Sequence, residues 1–196
     1  MANRNTQGFG LIAQGTVGST MASQGQGKYL IDAGMGVDLF QGTAVRSAAG
    51  YIVTAQAAIT NTCIGVLNGI FYNDASTKKP TFANFYNQPI TPANSEDITA
   101  FVIDNPNQLF VASIDAAAAQ AEYGKTYGLT VTAAGSEISG QSSSELTYAT
   151  RHATNNQWRL VRTAEDPENN DIAAANCSVV VAHNLNQYFT GAVTWQ

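Results

Sequence analysis

From Lys28 onward, short runs of β-branched and aromatic residues alternate with turn-forming residues at close spacing, and this punctuation constrains the fold more than any other feature of the chain. Tyr29-Leu30-Ile31 leads into the flexible Gly34-Met35-Gly36, and Gly50 opens the run Tyr51 to Ala55. Cys63 to Tyr72 is apolar but broken by Gly65 and Gly69, a pattern that marks bulges or tight corners in strands. Ile98 to Ile103 reads as a strong strand, stopped by Asp104-Asn105-Pro106-Asn107, where Asp and Asn bond their own backbone and Pro presets φ. Leu109 to Ile114 resumes, so the pair predicts a hairpin. Thr81 to Tyr86, Tyr127 to Ala133, Trp158 to Thr163 and Ser178 to Asn184 complete the strand candidates. One helix is expected over Asp115 to Tyr123: Asp115 caps it, Ala116 to Ala119 carry the best helix propensity, and Gly124 stops it. Together these predict a mainly β chain, an antiparallel β-barrel or sandwich with one short helix.

The first 27 residues differ from the rest. Residues 1–27 are rich in Gly, Asn, Gln, Ser and Thr with isolated apolar residues, and fixing so many glycines is entropically costly. They read as an extended N-terminal arm ordered against a neighbouring molecule, with Phe9, Leu11, Ile12 and Val17 as partner-binding residues. Residues 28–196 read as a single β-rich domain.

Composition narrows the function. Charged residues make up only 12% of the 196, about half of the roughly 25% usual in globular domains. Small neutral polar groups cover the surface instead, and these leave water at low cost when a partner arrives. A net charge of −5 with only nine Lys and Arg argues against nucleic acid. Nothing in the sequence is long and apolar enough to cross a membrane, and no signal peptide opens it, so synthesis in a cytoplasm is expected. Cys63 and Cys177 sit in apolar strand-like runs and read as buried small hydrophobes rather than as a disulfide or metal ligands.

The signatures of chemistry fail one by one. Gly124-Lys125-Thr126 lacks the glycine a phosphate loop needs at position 119, which is Ala119. His152 and His183, the only histidines, have no nucleophile elbow to serve, and His183 reads as a strand-end hydrogen-bonding residue. The carboxylates of Glu165 to Asp171 read as a solvated turn around Pro167 rather than as a calcium loop. The sequence therefore nominates no catalytic, cofactor-binding or metal-binding residue.

The run Gly65 to Asp74 resembles a family of small proteins from tailed phages, in particular short-tailed phages of aquatic bacteria: the decoration, or cement, proteins of the head. The resemblance continues through Phe82 to Tyr86, Ser95 to Pro106, Ser139 to Leu146, Trp158 to Asn170 and Val181 to Asn184. It implies a protein on the outer surface of the capsid in the virion, made in the host cytoplasm, binding the major capsid protein and copies of itself, with a trimer favoured over a dimer. It implies no cofactor and no catalytic residue. The competing expectation is a carbohydrate-binding β module of a phage tail or fibre, with Tyr86, Tyr148 and Trp195 as stacking platforms.

Overall fold

The computed structural model describes residues 2–18, 25–55, 62–130 and 135–188. Met21, the end of the Tyr127 to Ala133 run, Phe189 and Trp195 lie outside them. In chain order the strands are β1 (Ile12–Thr16), β2 (Gly27–Ile31), β3 (Ala44–Ala48), β4 (Tyr51–Thr54), β5 (Gly65–Asn73), β6 (Pro80–Ala83) and β7 (Ile98–Ile103). Then follow β8 (Gln108–Ile114), β9 (Thr126–Leu129), β10 (Gly135–Ser136), β11 (Gln141–Ser142), β12 (Leu146–His152), β13 (Trp158–Thr163) and β14 (Cys177–His183). Strand accounts for 47% and helix for 4%, so the chain is mainly β.

Five strands, in the order β8-β12-β9-β13-β14, close into a barrel because β14 pairs back onto β8. Its joint between β8 and β12 is one parallel pair, Leu146 with Ile114, while the other four ladders are antiparallel. β1 lies on the same edge of β8, opposite Gln108 to Val111. A second sheet runs β2-β7-β5-β3-β4, with β6 on β5.

The two-residue period of a strand sends alternate side chains to opposite faces. In β8 this turns Phe110, Ala112 and Ile114 into the barrel, where they meet Trp158, Leu160, Val179 and Val181. In β7 it turns Ile98, Ala100 and Val102 into a separate cluster with Ile31, Leu39, Ile52 and Tyr86. β5 serves both, giving Val66 to the barrel cluster and Leu67 and Ile70 to the other. Its register slips between Leu67 and Gly69, the bulge that the mid-strand glycine signals. At Gly65 a Cβ would overlap the Ile103 carbonyl oxygen, so this tight crossing of β5 and β7 requires glycine.

Two expectations need correction. The helix over Asp115 to Tyr123 is absent; only Gln120–Glu122 forms a single 3₁₀ turn. Asp115 does not cap a helix. Its carboxylate accepts the Tyr148 N–H at 2.8 Å, while Ala118 N–H donates to the Ile172 carbonyl at 2.8 Å. Partners distant in the same chain have taken the Asp115 and Ala118 groups that a helix would use, and tertiary context overrides the alanine propensity. The hairpin over Ile98 to Ile114 is also absent. β7 is flanked by β2 and β5 and β8 by β1 and β14, so the Asp104–Asn107 turn carries the chain from one sheet to the other. Residues 2–18, expected to lie against a neighbouring molecule, are docked along their own chain.

Candidate functional site

The N-terminal segment is fastened by short polar side chains. The Asn3 amide donates to the carbonyls of Asp171, Ala174 and Ala175 at 2.9–3.2 Å, and its oxygen accepts the Asp171 N–H. Asn5 N–H donates to Asn169 Oδ1 at 2.7 Å, and Asn5 Nδ2 to Ser178 Oγ at 3.1 Å. Arg4 pairs with Glu168 in the open, where screening leaves such a pair little value. The Glu165 to Asp171 loop, expected to be merely solvated, is therefore a clasp. Farther on, a Cβ at Gly8 would overlap the carbonyl oxygen of Ser143, and Gly10 takes φ +77°, so both close approaches need glycine. Leu11 N–H then reaches the Gly42 carbonyl at 2.9 Å, and β1 joins β8 with a bulge between Ala13 and Gly15.

This docking divides the four residues nominated for partner binding. Leu11 is 3% exposed and part of the barrel cluster, so it serves its own core. Ile12 is 46% and Val17 51% exposed. Phe9 is half-buried and stands between two clefts. One, about 280 Å³, lies between β1 and β5; the other, about 360 Å³, has an apolar floor of Phe9, Ile12 and Val111 and carries Glu165 and Asp166.

A second exposed feature crosses the other sheet. Phe71 of β5 faces Phe82 of β6 at 4.7 Å between ring centroids, and Phe82 lies 6.4 Å from Phe101 of β7. Phe82 is 72% exposed, an unusual placement for a phenylalanine in the middle of a ladder. Sequence reading passed over it because a lone Phe in Thr81-Phe82-Ala83 looks inward-facing; the clue was the weak alternation of that run.

The one juxtaposition with the look of chemistry is Cys63 beside His183, Sγ to Nδ1 at 3.5 Å, brought together over 120 residues of sequence. A nucleophilic pair needs thiolate and imidazolium, hence a lowered thiol and a raised imidazole pKa. Burial drives both the other way: the Cys63 thiol is pushed up to about 12 and the His183 imidazole down to about 4. Both are neutral at pH 7, the ring is wedged against Trp158 and Phe110, and the pair is a packing contact. Cys177 is likewise buried, and neither cysteine is in a disulfide. Among the described residues no three His, Cys, Asp or Glu side chains gather closely enough to hold a metal ion.

Of the aromatic platforms named for carbohydrate, Tyr86 is fully buried and donates its hydroxyl to the Met35 carbonyl at 2.8 Å. Tyr148 lies under the Arg151 guanidinium, 4.2 Å from the ring centroid. No protein-family model matches the chain, and no curated protein or solved structure matches it either.

Proposed function

We propose that the chain is a capsid decoration protein of a tailed phage, which binds the outer surface of the head shell and stabilises it. The observation that carries this reading is the ridge of Phe71, Phe82 and Phe101 on the outer face of the second sheet, on a chain only 12% charged. Covering Phe82 contributes roughly 1.5–3 kcal/mol before ordering costs. That is weak for one copy, but a lattice repeats the contact at every site, and linked weak contacts multiply. The partner surface is the major capsid protein, and a trimer of the chain itself suits the threefold positions of such lattices. Ile12 of β1 and Val17 just beyond it are further exposed apolar residues.

The resemblance of Gly65 to Asp74 and Ser95 to Pro106 to head decoration proteins supports the same reading. The alternative, a carbohydrate-binding module of a tail or fibre, loses Tyr86 as a platform because that ring is in the core. Co-sedimentation of the purified protein with empty heads tests the proposal. Saturable binding that weakens in Phe82→Ser is the expected result; recovery of the protein in the supernatant at every concentration would end it.

A further inference from the structure

The cleft between β1 and β5 is walled by carboxamides. Gln26, Gln41, Asn68, Gln108 and Gln141 all line it, over a floor that includes Leu67, and none of the described lining residues is charged. Gln41 Nε2 donates to Asn68 Oδ1 at 3.0 Å. That bond fixes the two side chains and leaves Gln41 Oε1 and Asn68 Nδ2 without a protein partner among the described residues. Gln26 and Gln141 are exposed and make no side-chain bond there with the described residues.

Gln108 is the distinctive member. It is 2% exposed, and its Nε2 is held by the carbonyls of Gly15 at 2.7 Å and Leu109 at 3.1 Å. Its Oε1 is buried and accepts no hydrogen bond from the described residues. Buried acceptors are nearly always satisfied, so an orphan beside a cleft marks where a donor belongs.

We propose that this cleft is a saccharide-binding subsite that takes a neutral sugar ring. Carboxamides present a donor and an acceptor side by side, the match for neighbouring hydroxyls, and the Phe9 ring supplies an apolar surface for the C–H face. The absence of charge selects against acidic and basic ligands, whose ions would lose water without a counter-charge. A volume of about 280 Å³ is at the lower end of small-ligand sites, suited to one or two rings. An added peptide strand fits less well, because such a strand binds through open backbone groups. Here Leu11 N–H is bonded to Gly42 O, Gly42 N–H to Leu67 O and Leu67 N–H to Thr43 O, each at 2.9 Å. The side-chain amides are what remains to read a ligand. This inference does not rest on the decoration reading, and head binding neither supports nor removes it.

The test is an NMR titration of the full chain with glucose, galactose and N-acetylglucosamine, with glucuronate and trialanine as charged and peptide probes. At least one neutral sugar is expected to shift the Gln41, Asn68 and Gln108 side-chain amide signals saturably. Asn68→Ala and Gln108→Met should each weaken that sugar at least about tenfold. Because Gln108→Met also releases Gly15, Gln26→Ala at an exposed position gives a second reading with the fold untouched; a loss of about threefold or more there supports the site. No saturation by any neutral sugar up to ~50 mM overturns the proposal. So does undiminished binding in all three variants, or tighter binding of trialanine or glucuronate than of every neutral sugar.

Discussion

Acidification should destabilise this protein through His183. The imidazole packs edge-on against Phe110, with ring centroids 5.6 Å apart, and lies 4.4 Å from Trp158. The residue keeps some solvent contact as a whole, yet its Nε2 is sealed from water and has no partner among the described residues. Among the described residues its ring hydrogen-bonds only to the neutral Cys63 thiol, and no charged partner there compensates a proton. Burial lowers the pKa from 6.5 to about 4. Between these values the unfolded chain takes up a proton that the folded chain refuses, so the stabilisation is complete above pH 6.5 and lost as pH falls toward 4. A shift of about 2.5 units corresponds to about 2 kcal/mol lost between pH 7 and 5, and about 3 kcal/mol by pH 4. For a chain of this size the latter is a fall in Tm of roughly 6–12 °C. Urea unfolding at pH 7 and pH 5 measures it, and at pH 5 most carboxylates are still ionised. His183→Phe and His183→Gln, whatever their absolute stability, should lose about 2 kcal/mol less than the wild type over that interval. Equal losses in all three proteins, or an NMR titration showing the His183 ring protonated near pH 6, would refute the reasoning.

The divided role of the N-terminal segment predicts that Leu11→Ala costs about 2–5 kcal/mol in denaturant unfolding, whereas Val17→Ala costs within about 0.5 kcal/mol. Deleting residues 2–11 should therefore lower stability, not merely release a tail. Both cysteines should resist a thiol reagent such as 5,5′-dithiobis(2-nitrobenzoic acid) in the native protein and react fully after denaturation, with no effect of reductant on stability. Phe82→Ser should leave Tm unchanged within about 2 °C, since the ring is 72% exposed, while reducing self-association or head binding measured by sedimentation.

The strands that could be read from sequence are those whose alternation is set by burial. Ile98 to Ile103 shows inward Ile98, Ala100 and Val102, and Trp158 to Leu160 behaves alike, whereas Cys177 to Val181 is buried throughout and shows instead as a continuous run rich in Val. β3, with Ala44-Val45-Arg46-Ser47-Ala48, and β12, with Leu146 to His152, carry weak β signals; pairing with β4 and β5, and with β9, makes them strands. β1 was hidden for the same reason, because a Gly- and Gln-containing run becomes a strand only where β8 offers it an edge. The alanine stretch misled because propensity is worth tenths of a kcal/mol per residue, less than the bonds Asp115 and Ala118 make elsewhere. The amide cleft and the aromatic ridge were out of reach. The five amide residues are spread from Gln26 to Gln141, and the three Phe come from three strands. The amide-rich composition was the only trace of the first.

The most direct test of the decoration role is electron cryo-microscopy of phage heads incubated with the purified protein, alongside heads prepared without it. The reading predicts added density at regular positions on the outer shell, with the Phe71, Phe82 and Phe101 face against the capsid protein, and heads that keep their genome at a higher temperature. Bare shells at saturating protein, or equal heat resistance with and without it, would contradict it.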